Sequence, residues 1–110
     1  MADFTREEVI AKVAAGESLE GADLEGVDLQ GAHLRGADLK GADLRKAELT
    51  LAKLSGADLS KAELRGADLI WTNLRKANLR EADLRGARYD KYTKFPEDFD
   101  PEAAGMVLVE

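Results

Sequence analysis

The residue types that most often carry enzyme chemistry are scarce in this chain of 110 residues. There is no cysteine, so disulfides, thiolate metal sites and a cysteine nucleophile are excluded. His33 is the sole histidine, and the serines (Ser18, Ser55 and Ser60) have no base partner. The glycines recur at a regular spacing rather than in one turn before a helix, so no phosphate-binding loop is predicted. We therefore expect no catalytic residue, no metal, no cofactor and no small-molecule substrate.

Charged groups are abundant, with 22 acidic and 16 basic residues and a formal net charge of −6. The excess of acid lies at the two ends: residues 1–20 contain five acids and two bases, and residues 92–110 contain five acids and one base. Residues 21–91 contain 12 acids and 13 bases and are close to neutral. Because the middle is neutral and the ends are acidic, nucleic-acid binding is not expected.

The charged groups of this middle region lie on a five-residue repeat, in which a leucine recurs every five residues from Leu24 to Leu84. The structure of this repeat must therefore determine where the charged groups lie. Ala precedes the leucine by two positions in 11 of 13 repeats, and Asp or Asn lies between them in nine. On an α-helix these leucines would advance by about 140° at each step and form no single apolar face. On a continuous strand they would alternate between faces. The pattern predicts a three-residue extended piece, with Ala and Leu facing inward, followed by a two-residue corner.

Glycine lies two positions after the leucine in seven repeats, which is typical of a corner with positive φ. Six other residues occupy the same position: Lys46, Leu51, Lys61, Trp71, Lys76 and Glu81. We therefore interpret glycine as preferred at this corner but not required.

These repeats resemble the pentapeptide repeat proteins, whose pattern A-[D/N]-L-x-x the chain follows from about Gly21 to Arg88. The resemblance implies an all-β solenoid, a right-handed quadrilateral parallel β-helix with four pentapeptides, or 20 residues, per coil. The tail segment TKFPEDFDPEAAGMV is similar to the segment that closes many cyanobacterial members, which points to a bacterial protein. The expected organisation is a single domain: an N-terminal helix cap over residues 1–18, a repeat region over residues 19–91 and a C-terminal capping tail over residues 92–110.

Both ends contain signals for a cap, which a solenoid needs to cover its exposed core. Thr5 and Glu8 match a capping box, Phe4 and Val9 occupy hydrophobic-staple positions, and Gly16 is placed to end the helix. In the tail, five large apolar residues are predicted to close the other end: Tyr92, Phe95, Phe99, Met106 and Val107. No apolar stretch is long enough for a signal peptide or a membrane span, so a cytoplasmic protein without membrane contact is expected.

A 20-residue coil would stack acidic side chains into two ladders: Asp23, Asp43, Glu63 and Asp83, and Asp28, Glu48 and Asp68. Carboxylates in this arrangement are suitable ligands for Ca²⁺. However, Arg45, Arg65 and Arg85 would lie beside the first ladder, so we interpret the columns as mutually neutralising rather than as a metal site. His33 would stack with Lys53 and Asn73, which are not ligands of a zinc site.

The same register places two apolar residues, Leu51 and Trp71, in one outward corner column, with Ile70 beside them. We predict that these three side chains form a patch, and exposed apolar patches usually mark an interface. Lys91 would be next in this column, followed by the tail residues. Two alternatives therefore remain for what covers this patch: the protein's own tail, or a second protein, which is either a partner or another copy of the chain.

The function expected from these features is that of a non-enzymatic scaffold or protein-interaction module. The alternative implied by the resemblance is a DNA mimic that protects a type II topoisomerase such as gyrase. That mechanism needs a long, continuously negative rod. The neutral repeat region, with little more than three coils, disfavours it.

Overall fold

The computed structural model describes residues 2–110, and Met1, the first residue of the expected N-terminal cap, lies outside the described part. Residues 2–110 contain one helix, α1 (Arg6–Ala14), and two short strands, β1 (Arg88–Tyr89) and β2 (Val107–Leu108), which pair in parallel. Between α1 and β1 the chain has no other regular element, although an all-β solenoid was expected. The reason is that the chain turns every five residues, so only one residue per repeat forms a β-bridge.

The repeats are held together by pairing between residues that are 20 apart in sequence. Ten isolated parallel bridges have this spacing, from Asp23 with Asp43 to Asp68 with Arg88. Backbone hydrogen bonds follow the same register, as in the bond from the N–H of Leu44 to the carbonyl of Glu63 at 2.7 Å. Successive 20-residue segments, which we call coils, therefore lie side by side.

Leucine and alanine side chains fill the interior of this stack. Every repeat leucine from Leu24 to Leu84 is buried except Leu79, which is half-buried where the tail does not continue the bridges. Burying a leucine side chain contributes about 1.5 to 3 kcal/mol, so the regular leucine spacing is the main sequence determinant of this core.

The outward Asp and Asn residues have a structural role that explains their frequency. In all nine repeats that carry one, its side-chain oxygen accepts a hydrogen bond from the backbone N–H two residues later. Such local bonds are the reason that Asp and Asn favour turns. Each outward Asp or Asn therefore stabilises the corner that follows it.

The corner position two residues after each repeat leucine is left-handed in every repeat. The seven glycines there have φ between 67° and 72°, and the six other residues have φ between 58° and 64°. The interpretation of glycine as preferred but not required is thus confirmed, and every residue at this position, glycine or not, adopts a positive φ. A non-glycine residue in this region costs about 1 to 2 kcal/mol, which the surrounding backbone hydrogen bonds must offset.

The N-terminal helix forms as its sequence signals predict. The Thr5 hydroxyl accepts the N–H of Glu8, and the Glu8 carboxylate accepts the N–H of Thr5, which confirms the capping box. Val9 is fully buried against the core, and Gly16 has a φ of 73° just after the helix. With nine residues of mixed polarity, α1 is too short and too polar to cross a membrane. Residues 2–110 contain no other helix.

Candidate interaction surface

The predicted apolar patch lies on an outward corner of the stack. The Leu51 side chain is 55% exposed and the Trp71 side chain 49% exposed, whereas Ile70 is half-buried. The Leu51 N–H donates to the carbonyl of Ile70 at 3.1 Å, and Leu51 and Trp71 line the same depression. The structure thus brings the three residues together and leaves two of them open to solvent.

Tyr92, not Lys91, is the tail residue beside Trp71. The two aromatic rings are stacked, with centroids 3.9 Å apart and planes inclined by 14°. The prediction that Lys91 continues the column is wrong because the tail contains one extra residue: Asn73 pairs with Lys94, a spacing of 21. The Lys91 ammonium instead lies 5.2 Å from the centre of the Tyr92 ring. We call the three exposed side chains Leu51, Trp71 and Tyr92 the apolar ridge.

Asp90 organises the turn that contains the extra residue. Its Oδ1 atom accepts hydrogen bonds from the backbone N–H groups of Trp71, Tyr92 and Thr93, at 3.2, 3.1 and 3.1 Å. In the previous coil the equivalent N–H, that of Leu51, bonds to a backbone carbonyl. A carboxylate therefore replaces a carbonyl at this corner, and the replacement sets Tyr92 against Trp71.

The Thr93 side chain fixes the same turn from inside the stack. Its hydroxyl is buried, donates to the carbonyl of Leu69 at 2.8 Å and accepts the N–H of Asp90. One coil earlier, the buried Thr72 hydroxyl donates to the carbonyl of Leu49 at 2.6 Å. These two threonines stand where most repeats have Ala, so the inward polar groups next to the ridge are satisfied.

The tail covers Leu51 and Trp71 only in part. Tyr92 stacks on one face of the Trp71 ring, but both residues remain nearly half exposed. Phe95 and Phe99, with ring centroids 5.0 Å apart, and the buried Met106 pack over the end of the core as predicted. Tyr92 and Val107 do not belong to this plug: Tyr92 lies on Trp71, and Val107 is 50% exposed in β2.

The first acidic ladder and its arginines form a second surface, which we call the paired face. It comprises the outward residues Asp23, Glu25, Asp43, Arg45, Glu63, Arg65, Asp83 and Arg85. Carboxylate oxygens of three of these residues, Asp23, Glu25 and Asp43, lie within 4.8 Å of one another. The Arg45 guanidinium contacts Asp43 at 2.6 Å and Glu25 at 3.7 Å, so this cluster already has a cationic partner.

The arginines also change the acidity of their partners. The side-chain hydrogen bonds from Arg85 lower the pKa of Asp83 to about 2, and Arg45 lowers the pKa of Asp43 in the same way. Asp58 has a lowered pKa because Ser60 donates to it through its hydroxyl and its N–H. These carboxylates are held in the charged form and are poorly suited to general acid catalysis.

Sequence reasoning assigned Tyr92 to the tail that could cover Trp71 and to the end plug, but it did not predict the aromatic stack, and it did not identify Asp90. The position of Tyr92 follows from one residue more than the regular repeat would place between Tyr89 and Lys94. This extra residue is apparent only when the tail is aligned with the repeat. Asp90 has an ordinary local signal, since Asp commonly begins a turn, but the bond to Trp71 depends on the neighbouring coil.

The sequence model of the family described as pentapeptide repeats matches residues 18–56 and 52–88, with eight copies. Two solved structures are similar over most of the chain. The pentapeptide repeat protein alr5209 from Nostoc PCC 7120 is 43% identical, with 96% of each chain covered and a TM-score of 0.66. Rfr23, from the cyanobacterium Cyanothece 51142, is 35% identical over 72% of this chain and 54% of its own, with a TM-score of 0.70. Among curated proteins no match is found.

Proposed function

The chain belongs to the pentapeptide repeat family, and on this basis we propose that it is a non-enzymatic scaffold that binds a protein partner through the apolar ridge. The observation that carries the proposal is that Leu51 and Trp71 stay about half exposed although Tyr92 already stacks on Trp71. An aromatic residue fixed by its neighbours loses little entropy when a partner covers it, and tryptophan and tyrosine are common in binding hot spots.

The proposal includes the finer features of the architecture. We take the coils to wind in a right-handed, four-sided β-helix, with residues 1–18 as the N-terminal cap, residues 19–91 as the repeat region and residues 92–110 as the capping tail. The similarity to two cyanobacterial pentapeptide repeat proteins supports this assignment. In this arrangement the inward residues are committed to the core, so the outward residues determine what the protein binds.

Affinity capture from the source organism with matched variants tests the proposal. The ridge variant carries Leu51→Ser and Trp71→Ala. The control variant carries Val107→Ser and Leu108→Ala, which remove two other exposed apolar side chains. We expect the ridge variant to lose the proteins that the wild type captures and the control variant to retain them. Recovery of the same proteins at the same level by both variants would refute the proposal.

Self-association is measured separately, by sedimentation equilibrium of the purified chain over a range of concentrations. A monomer at all concentrations agrees with binding to a different protein. If the wild type dimerises and the ridge variant does not, the ridge is an interface between copies of this chain and the partner proposal is wrong.

The DNA-mimic alternative is not favoured by the surface. Four of the five carboxylates of the paired face, those of Glu25, Asp43, Glu63 and Asp83, form ion pairs with arginines, so this face is not an uninterrupted anionic strip. Gyrase supercoiling assays with and without the protein test this alternative, and we expect no effect.

A further inference from the structure

One side of the stack carries no carboxylate among its repeat residues. We call it the cationic face, and it comprises His33, Arg35, Lys53, Ser55, Asn73, Arg75 and Lys94. At the end of this face the tail residue Glu97 lines a depression together with Arg75, without forming an ion pair with it. Parallel bridges join His33 to Lys53, Lys53 to Asn73 and Asn73 to Lys94, so these outward side chains follow one another along the stack. The near-neutral charge of the repeat region is thus an average over faces that differ.

The cations of this face have no acidic partner. Arg35, Lys53, Arg75 and Lys94 are all exposed, and none forms an ion pair within residues 2–110. On the paired face, in contrast, each arginine contacts a carboxylate. Four uncompensated cations on one face of a chain with a net charge of −6 form a local positive region that attracts anionic groups.

Two outward positions of the cationic face lack the acceptor that stabilises the corners. His33 and Lys53 stand where Asp or Asn would accept the N–H two residues later, whereas Asn73 on the same face accepts the N–H of Arg75. Glu48 and Glu63 form no such bond among the described residues either, but they remain acidic, so among the 13 leucine repeats only on the cationic face does a basic residue or histidine replace the acceptor.

A depression joins the cationic face to the apolar ridge. Its volume is about 500 Å³, and its lining includes Arg35, Leu51, Lys53, Ser55, Trp71 and Asn73. Cations therefore lie on one side of the depression and exposed apolar side chains on the other. A ligand that satisfies both sides carries carboxylates next to an aliphatic or aromatic group.

We propose that the cationic face and the apolar ridge together bind an acidic peptide segment of the partner protein, with an apolar side chain seated between Leu51 and Trp71. This inference rests on the proposed function and specifies the chemistry of the partner. The carboxylates of the segment pair with Arg35, Lys53 and Arg75. The face spans four levels of the stack, about 14 Å at the usual strand spacing, which accommodates about four extended residues.

A peptide fits this face better than a nucleic acid does. The acid-free strip is narrow, because Asp28, Glu48 and Asp68 lie five residues before it in the coils and Asp38 and Asp58 lie five residues after it. The tail beyond it is acidic as well. A nucleotide strand that extended past the strip would place phosphates next to carboxylates, whereas a short peptide would not.

The test measures binding of a synthetic peptide with two Asp-Glu pairs flanking a Leu-Phe pair, which contains no tryptophan. Fluorescence of the sole tryptophan, Trp71, then reports occupancy of the depression directly. The face variant carries Arg35→Glu, Lys53→Glu and Arg75→Glu. The control variant carries the same charge change at three other exposed cations that form no ion pair in the described part of the chain, Lys40→Glu, Lys46→Glu and Lys61→Glu. We expect the face variant to weaken binding at least about tenfold and the control variant less than about threefold at physiological salt.

With the purified chain, four results would overturn the inference: equal weakening by both variants, equal binding of a peptide with Asn-Gln in place of Asp-Glu, tighter binding of a single-stranded oligonucleotide, or self-association of the wild type that the face variant abolishes. The last result would identify the acidic ends of a second copy as the occupant. If the ridge variant loses its captured partners and the face variant keeps them, the proposed function stands and this inference fails.

Discussion

On the paired face, Arg45, Arg65 and Arg85 each contact a carboxylate at 2.6 to 3.7 Å, whereas no cation of the cationic face has such a partner within residues 2–110. The two faces share the same repeat geometry, and each has its own row of buried leucines behind it. They differ mainly in the outward residues. The comparison shows that the repeat fixes where a side chain points but leaves open whether its charge is compensated. On the paired face the charges already have partners within the chain. On the cationic face the unpaired charges are available to bind a partner.

The largest effect is expected where the two faces are equivalent, in the core. Leu54→Ala lies behind the cationic face and Leu64→Ala behind the paired face, and both leucines are fully buried. Each substitution should lower the free energy of unfolding by about 2 to 5 kcal/mol, because it removes buried methyl groups and leaves a cavity. Urea denaturation measures both. Losses that differ by more than about 2 kcal/mol would show that the two faces do not share an equivalent core.

The next effect concerns the corner that ends the apolar ridge. Asp90→Ala removes the acceptor of three backbone N–H groups, so it should cost about 1 to 3 kcal/mol and separate Tyr92 from Trp71. Urea denaturation and acrylamide quenching of Trp71 measure the two consequences. Asn78→Ala is the matched control, because it removes one such bond on an exposed face, and it should cost less than about 1 kcal/mol. An equal loss in both variants would contradict the organising role of Asp90.

A smaller effect of opposite sign is expected on the cationic face. Lys53→Asn supplies the missing acceptor for the N–H of Ser55 and removes one uncompensated cation. It should raise the free energy of unfolding by about 0.5 kcal/mol while weakening binding of the acidic peptide. The urea midpoint and Trp71 fluorescence measure the two changes. A lower midpoint would show that Lys53 serves folding rather than recognition.

The smallest effect is the pH dependence of the paired face. Arg85 lowers the pKa of Asp83 to about 2 in the folded chain, from about 3.9 when unfolded. Its contribution to stability is therefore fully present above about pH 5 and is lost as the pH falls towards about 2. The difference in unfolding midpoint between the wild type and Asp83→Asn should shrink over that range. A difference that stays constant would contradict the assigned pair.

Much of this architecture is predictable from sequence because it depends on local rules. The leucine spacing predicts the inward residues, and Thr5 with Glu8 predicts the start of α1, since each depends on a few neighbouring residues. The 20-residue spacing implied by the family resemblance agrees with the observed bridges, and the exposed pair Leu51 and Trp71 follows from it.

The features that sequence reasoning missed depend on more than one coil or on backbone geometry. The stacking of Tyr92 on Trp71 follows from one extra residue in the tail, which a regular register does not anticipate. The positive φ of Trp71 and Lys61 is concealed because their side chains favour other conformations. The near-neutral total charge of the repeat region does not indicate the cationic face, because a total does not show which residues share a face.

The spacing of 20 residues also constrains how such a gene can change length. Duplication of a 20-residue unit that lies before Trp71 would add a complete coil and return the chain to the same corner, so Trp71 and Tyr92 would remain neighbours. Duplication of a single five-residue unit would preserve the repeat pattern but shift everything after it by about a quarter of a coil. If that unit lay between Trp71 and Asp90, Tyr92 would arrive at a different corner from Trp71 and the aromatic stack would be lost. The aromatic stack is therefore compatible with whole coils added before Trp71, but not with a change in the number of repeats between Trp71 and Tyr92.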